Sequence, residues 1–581
     1  MRKQKNLNIL NIEGMESWQG YLSDAKRELL NKSWAGTFRK YILPNLPIEK
    51  LSENYSKSMG RPTKDLLTGM GAAILQQIFD LTDEETREHL AFNQQWHFAL
   101  ETYDPSEHLF SEKTLWTIRH HLTKDGIGQN IFNQVTDVLA ATFKVDTSKQ
   151  RMDSVHVYSN MARVGRVRLL ARTITTFLRN LKRHFPSEYT TDISEELRQR
   201  YTKDETSGYF GSSKPSESQK RLQDVAIDLN WLIEKYCDNT AILEMNSYKL
   251  MTRVLFEQCV IKEGKVEVKP AQEISCDSIQ NPSDIDAGYD GHKGQGYQVQ
   301  FSETYSRKED ATATDTESKE GVLDLITYVK VESADHHDSK ALLPALEELG
   351  AREIKPEELL ADAAYGGDDN VNEAREQGVS IVSPVVGKKS EKDFSGFLFD
   401  EQSKSVKQCP NGNFPQSVKG NKKGTITARW SKEDCMNCSL KESCQTKNGA
   451  RGRRMIYSEK EIRLWQRRQY EASAEFKDKY RYRSGIEGTN SRYIHMTGAR
   501  RVRYRELENV GFAETIKALG INMFRVNKYI KEIGDIIDPI VNIAINNLIL
   551  LIFIFIMNKI RIFSEKYAVN SYSRKILLKM A

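Results

Sequence analysis

At 581 residues the chain is long enough for more than one folded unit, and 39% hydrophobic against 28% charged residues describe a core with broad polar surfaces. A net charge of only +5 excludes recognition by bulk charge alone. Seven cysteines, an odd number in so long a chain, exclude a secreted disulfide scaffold, and the polar Met1–Glu16 stretch has no signal-peptide core, so a cytoplasmic protein is expected.

In chain order, residues 1–60 read as an irregular lead-in. Residues 61–144 read as a helical domain. Leu67, Met70, Ile74 and Ile78 share one face of a helix over Asp65–Phe79. Thr82 and Glu85 make a capping box for a second helix reaching Phe92, and Ser111 caps a third carrying Leu115, Ile118 and Leu122. Three short helices of this kind fit a DNA-docking module or a plain helical bundle equally well. The period then changes, and Val145–Tyr158 suits a strand. Leu170, Ile174, Phe177, Leu178 and Leu181 form the apolar stripe of a following helix. Helical patterns continue to about Phe256, an insertion spanning about 160–270. Strands are expected at Tyr297–Thr304 and Leu323–Val331, then a helix over Ser339–Leu349. A short strand ending at Asp362, a helix from about Asn370 and a strand over Val379–Val385 complete the series. This order describes an α/β class, a mixed sheet flanked by helices. A cysteine-bearing insertion of about 386–460 follows. The last apolar run, Leu548–Met557, is ten residues, short of the roughly 20 that span a membrane. Residues 531–581 therefore read as a tail with no membrane role.

Charge is local rather than global. Residues 160–184 carry seven Lys or Arg and no acid, and residues 451–505 carry sixteen basic and six acidic residues, net +10. Such blocks in a nearly neutral chain suit a polyanion, or else solvated helix faces. Arg492, Arg500, Arg501 and Arg503 in the second block are candidate DNA contacts.

Three acids stand out against this background. Asp153 interrupts an apolar strand, where an unpaired charge is costly. Asp362 closes another strand, and ligands of open α/β sheets gather at the carboxyl ends of strands. Glu487 lies four residues after Arg483, within reach on one helical face. Taken singly, each has an ordinary alternative as a turn residue, a helix cap or a surface ion pair. Together they suit phosphodiester chemistry, in which two divalent ions about 3.5–4 Å apart are held by hard oxygen ligands.

The ordered set Met152-Asp153-Ser154-Val155-His156-Val157, Gly296-Tyr297-Gln298-Val299-Gln300, Leu360-Ala361-Asp362-Ala363-Ala364-Tyr365-Gly366-Gly367-Asp368 and Tyr480-x2-Arg483-x3-Glu487 resembles the DDE transposases of bacterial insertion sequences. Gly60-Arg61-Pro62, followed by helices, resembles the helical domain in front of catalysis in such enzymes. The resemblance covers roughly residues 20–530. It implies a ribonuclease H-like core over 145–530, with Asp153, Asp362 and Glu487 as catalytic ligands of Mg²⁺ or Mn²⁺, two ions per site. Tyr480 and Arg483 would contact DNA phosphate. The substrate would be double-stranded DNA, both the terminal inverted repeats and the target, handled by a homodimer in the synaptic complex and found with the nucleoid when bound. Water would attack at the element end, and the freed 3′-hydroxyl would attack the target. The competing expectation is a domesticated, inactive DNA-binding descendant. Many relatives carry Lys seven residues after the glutamate, where this chain has Ile494; Arg492 and His495 are the nearby substitutes.

Cys409, Cys435, Cys438 and Cys444 follow a C-x25-C-x2-C-x5-C spacing. Four clustered thiols in a cytoplasmic chain predict a structural Zn²⁺ site, with free cysteines as the alternative. Related transposases often carry cysteines at this place, which supports the structural reading. His336, His337 and Asp338 read as a solvated turn.

Overall fold

The computed structural model describes residues 22–533 apart from 60–62, 103–109, 162, 203–214, 308–321, 388–391, 402, 423, 443 and 450–451. Gly60-Arg61-Pro62 and the apolar tail lie outside the described residues. No helix among the described residues is long and apolar enough to cross a membrane.

Of the segment expected to be irregular, the described residues, 22–59, are largely helical. Ser23 caps a helix over Asp24–Asn31, Ser33 caps a short turn that runs on as a π-helix over Phe38–Ile42, and Ile48–Ser52 is helical again. The helices that follow include α1 (Leu66–Ile78), α2 (Asp83–Phe92) with the short helix Gln94–Ala99 behind it, α3 (Glu112–Thr123) and α4 (Ile127–Thr142). Asp65 caps α1, both halves of the Thr82–Glu85 capping box form at α2, and Ser111 caps α3. Helix α1 is buried on every side, so a stripe pattern understates its burial.

The central sheet contains β1 (Lys149–Tyr158), β2 (Gly288–Asp290), β3 (Gly294–Thr304), β4 (Ile326–Ser333), β5 (Glu358–Ala361) and β6 (Ser380–Val382). Strand β3 runs antiparallel to β1, and its other edge takes β2 and then β4, both antiparallel. On the far side of β1, β5 and β6 add in parallel, giving the order β4-β3-β1-β5-β6. Helices α5 (Leu342–Ala351) and α6 (Asp368–Glu376) make the two crossovers. The short strand β5 stops at Ala361, one residue before Asp362.

Two layers cover the sheet, one on each face. Met152 packs with Leu342, Leu346 and Leu359 on one side. Val155, Val157, Val299 and Phe301 face the other, in a core shared with α1, α3, α4 and the last helix, 507–533. The burial of β1 therefore changes face along its length, and Asp153 and Ser154 stand at the change.

The insertion after β1 has its own core, in which the stripe from Leu170 to Leu181 packs on Leu229, Leu232, Met251 and Val254. It ends in a hairpin, Cys259–Lys262 with Lys265–Val268, that helical periodicity did not foretell. The cysteine-bearing insertion holds a four-stranded antiparallel sheet over Ser417–Ser458 around Trp430, Met455 and Tyr457.

Candidate active site

Strand register brings the two aspartates together. The parallel pairing of β1 with β5 ends at Met152 and Ala361. Asp153 and Asp362 are the next residue on each strand, and alternation puts both on the same face. Past Ala361 the chain leaves β1 in a tight turn, with the backbone N–H of Ala364 on the Asp362 carboxylate and Tyr365 N–H on the Asp362 carbonyl at 3.3 Å. That turn needs Gly366, because a Cβ there would lie 2.3 Å from Ser383 Oγ and 2.8 Å from the Pro384 carbonyl.

Glu487 arrives from the other end of the chain. A 3₁₀ turn over Arg481–Ser484 feeds helix α7 (Gly485–Met496), which lies against β1. One buried carboxylate sets that position. Glu303 on β3 receives Arg151 Nε at 2.7 Å, Arg525 Nη2 at 2.7 Å and the Thr489 hydroxyl at 2.7 Å. Arg151 Nη1 also donates to the Tyr482 carbonyl at 2.7 Å. Burial alone would raise the Glu303 carboxyl, but Arg525 and Arg151 hold it below the usual range. Gly485 is needed where Arg151 crosses beneath the helix, since a Cβ would meet its pinned guanidinium at 2.0 Å.

The three acids meet at Arg483. Its Nη2 lies 3.1 Å from Asp153 Oδ2 and 4.0 Å from Asp362 Oδ2, and its Nη1 lies 2.9 Å from Glu487 Oε1. Asn490, one helical turn after Glu487, donates from Nδ2 to Asp153 Oδ2 at 3.1 Å. Burial pushes the Asp153 carboxyl above its ordinary range; Arg483 opposes this, and Asp362 and Asp338 add to it. Asp338, read from sequence as part of a solvated turn, is half-buried and held by the amides of Gln298 and Gln300.

The donor set suits a hard divalent cation: three carboxylates gathered on one positive charge, with two buried polar atoms, Arg483 Nε and Asn490 Oδ1, lacking hydrogen-bond partners beside them. The guanidinium now holds the centre. Among the described residues no group of three or more His, Cys, Asp or Glu side chains is arranged to hold a metal ion as it stands. The four cysteines are free thiols; Cys409, Cys435 and Cys444 pack on the core of their insertion, and Cys409, Cys438 and Cys444 line a 290 Å³ cavity. Burial pushes the Cys435 thiol up, with the other three thiols adding to the shift.

Tyr480 stacks on Phe476 with ring centroids 5.2 Å apart. Arg492 is exposed on α7, and Arg500 lies over the Tyr158 ring at the end of β1. Arg501 is exposed, whereas Arg503 pairs with Asp80 at 3.0 Å and ties this segment to the N-terminal helices. Ile494, at the position where relatives carry Lys, packs against the main core. Asn490 escaped sequence reasoning; its only signal was a three-residue spacing from Glu487, which an Asn on any helix can have.

Comparison with curated proteins and with solved structures gave no match. Two family models do match. One, described as a transposase DDE domain, covers residues 408–527, and the other, described as a transposase domain, covers residues 35–121. The first takes in the four cysteines, Arg483 and Glu487, while Asp153 and Asp362 lie outside both. A transposase domain in front of a transposase DDE domain is what a DDE transposase of an insertion sequence would carry, and the two matches support that family.

Proposed function

We propose that this transposase cuts and rejoins DNA at the ends of its own element, with Asp153, Asp362 and Glu487 as the acids that hold divalent metal ions, Mg²⁺ or Mn²⁺, on a ribonuclease H-like sheet. The observation that carries this reading is the meeting of three acids, 334 residues apart in sequence from first to last, on the guanidinium of Arg483. A six-stranded sheet of four antiparallel strands extended by two parallel ones supports the fold. Divalent ions held by these three acids would neutralise charge on the phosphoryl group and activate the attacking oxygen.

The protein's own groups do the rest. In the first step a water oxygen attacks the phosphorus at the element end, the P–O3′ bond breaks, and a 3′-hydroxyl is left. In the second that hydroxyl attacks a target phosphodiester and displaces a target 3′-oxygen. Arg483 is the mobile charge in this scheme: it balances the acids in the free protein and turns to DNA phosphate when cations take its place. Tyr480, Arg492, Arg500, Arg501 and Arg503 extend the DNA-binding surface along the basic block. Zinc bound by Cys409, Cys435, Cys438 and Cys444 would staple the insertion that precedes the glutamate. The protein works as a homodimer that pairs two element ends, in the cytoplasm and on the nucleoid.

Asp153→Asn tests the assignment, because it removes a carboxylate ligand without adding bulk. Cleavage of DNA carrying the element ends should fall at least roughly 100-fold in Mg²⁺, with DNA binding kept within a few-fold. Near-normal cleavage removes Asp153 from the site. Loss of binding together with cleavage would assign it a role in folding or docking instead.

A further inference from the structure

The acids do not complete the oxygen set of this centre. Asn490 is on α7, three residues after Glu487, so the two side chains share a face. Its Nδ2 donates to Asp153 Oδ2 at 3.1 Å, the same oxygen that Arg483 approaches at 3.1 Å. This contact fixes which way the amide points, since the flipped amide would set its oxygen against a carboxylate. The Oδ1 atom is thereby left buried and without a hydrogen-bond partner. A buried acceptor with no donor destabilises the fold, and native structures leave few of them. An Asn kept only for packing would be better replaced by an apolar side chain of the same shape.

The surroundings narrow what Oδ1 can take. Asp153, to which the amide donates, is shared with Arg483, and the neighbouring residue, Thr489, is already bound to Glu303 at 2.7 Å. A neutral amide oxygen beside carboxylates is a ligand type suited to hard divalent cations, which accept Asn carbonyls and keep waters of their own.

We propose that Asn490 is a fourth member of the cation site, holding Asp153 through Nδ2 and offering Oδ1 to the divalent ion or to a water in its shell. This rests on the carboxylate-centre reading given above. It adds a neutral ligand from the glutamate helix that the acidic signature does not contain. It also gives Asn490 a positioning role in the free protein, where it keeps Asp153 turned towards α7.

Mn²⁺ binding to the full-length, DNA-free protein tests the proposal, with free Mn²⁺ read by electron paramagnetic resonance and melting measured separately in EDTA. Mn²⁺ suits the test because thiolates select softer ions. Asn490→Leu keeps the bulk and removes both polar atoms; Asn490→Ala serves if the leucine variant fails to fold. Mn²⁺ affinity should fall about tenfold in each, the size expected for partners that orient or complete a metal site. Melting of Asn490→Leu should stay level or rise, because the orphaned carbonyl is gone. A purely structural Asn490 would give the reverse, lower melting with Mn²⁺ affinity within twofold of wild type, and that affinity overturns the proposal. Asp153→Asn separates the two layers of the argument. If it abolishes Mn²⁺ binding while both Asn490 variants bind normally, the carboxylate centre stands and Asn490 is not part of it. If Asp153→Asn binds Mn²⁺ normally, the carboxylate-centre reading itself fails, and the assignment of Asn490 fails with it.

Discussion

Asp153 is half-buried at the point where β1 exchanges one covering layer for the other, and its charge is tolerated there because Arg483 and Asn490 both reach it. Three residues on, His156 shows the opposite solution. Both its ring nitrogens are buried without partners, and burial, with Lys293 nearby, pushes its pKa down to about 4. A His lowered from an ordinary value of about 6.5 contributes stability that is complete above that value. The contribution is lost as the pH falls towards about 4, because the unfolded chain takes up the proton first. Melting temperature should therefore drop across this window, and His156→Leu should flatten the drop; an unchanged acid limb in the variant would mean His156 is not the group. Arg483 is the other residue whose role can be measured. Arg483→Ala should lose cleavage and also lower the salt slope of DNA binding by roughly one unit if the arginine reaches phosphate. Lost cleavage with an unchanged slope would confine it to orienting Glu487. Asp153 and Asp362 stood out in the sequence because a carboxylate inside an apolar strand, or at its end, is a costly choice, and Glu487 only through its spacing from Arg483 and the family resemblance. Asn490 did not, because a neutral amide on a helix has no such cost to betray it.

Elements with strong local signals matched their sequence reading, and elements built by tertiary contacts did not. The caps at Asp65, Thr82 and Ser111 fixed the starts of α1, α2 and α3. The helices between Asp24 and Ser52 are short, one is a π-turn, and Pro44 and Pro47 break their periodicity. They hold because Phe38, Ile42 and Leu51 insert into the main core, a contact no local window displays. The strands of the four-stranded sheet in the cysteine-bearing insertion are three to seven residues long and carry many lysines and arginines, so alternation was too brief to register. The small core of this insertion, with Cys409, Cys435 and Cys444 at its edge, is where an added staple would matter most. Purified protein should contain about one zinc per chain, and Cys435→Ser should lower its melting temperature. Absence of zinc together with unchanged stability of the variant would leave the cysteines without a structural role.

Across the whole molecule, the buried Glu303 is the point where distant parts of the chain are tied together. Through Arg151, Thr489 and Arg525 it joins β3, β1, the glutamate helix α7 and the last helix, 507–533. The last helix packs in turn on the N-terminal helices, so those helices and the carboxylate centre share one continuous core. Removing one partner from such a network strands buried charges, and Glu303→Ala should destabilise the protein by about 3–5 kcal/mol in denaturant melts. A loss below about 1 kcal/mol would show that the arginines find other partners. This long-range wiring was invisible in sequence, because residues 151, 303, 489 and 525 have no spacing in common. The order of strands and helices was legible, but that Asp153 and Asp362 end neighbouring strands came only with the pairing of β1 and β5. The most direct test of the centre is its third acid, the one supplied from the far end of the chain. Cleavage of element-end DNA by Glu487→Gln in Mg²⁺ should fall at least roughly 100-fold while DNA binding stays within a few-fold of wild type; cleavage within threefold of wild type would contradict a centre built from Asp153, Asp362 and Glu487.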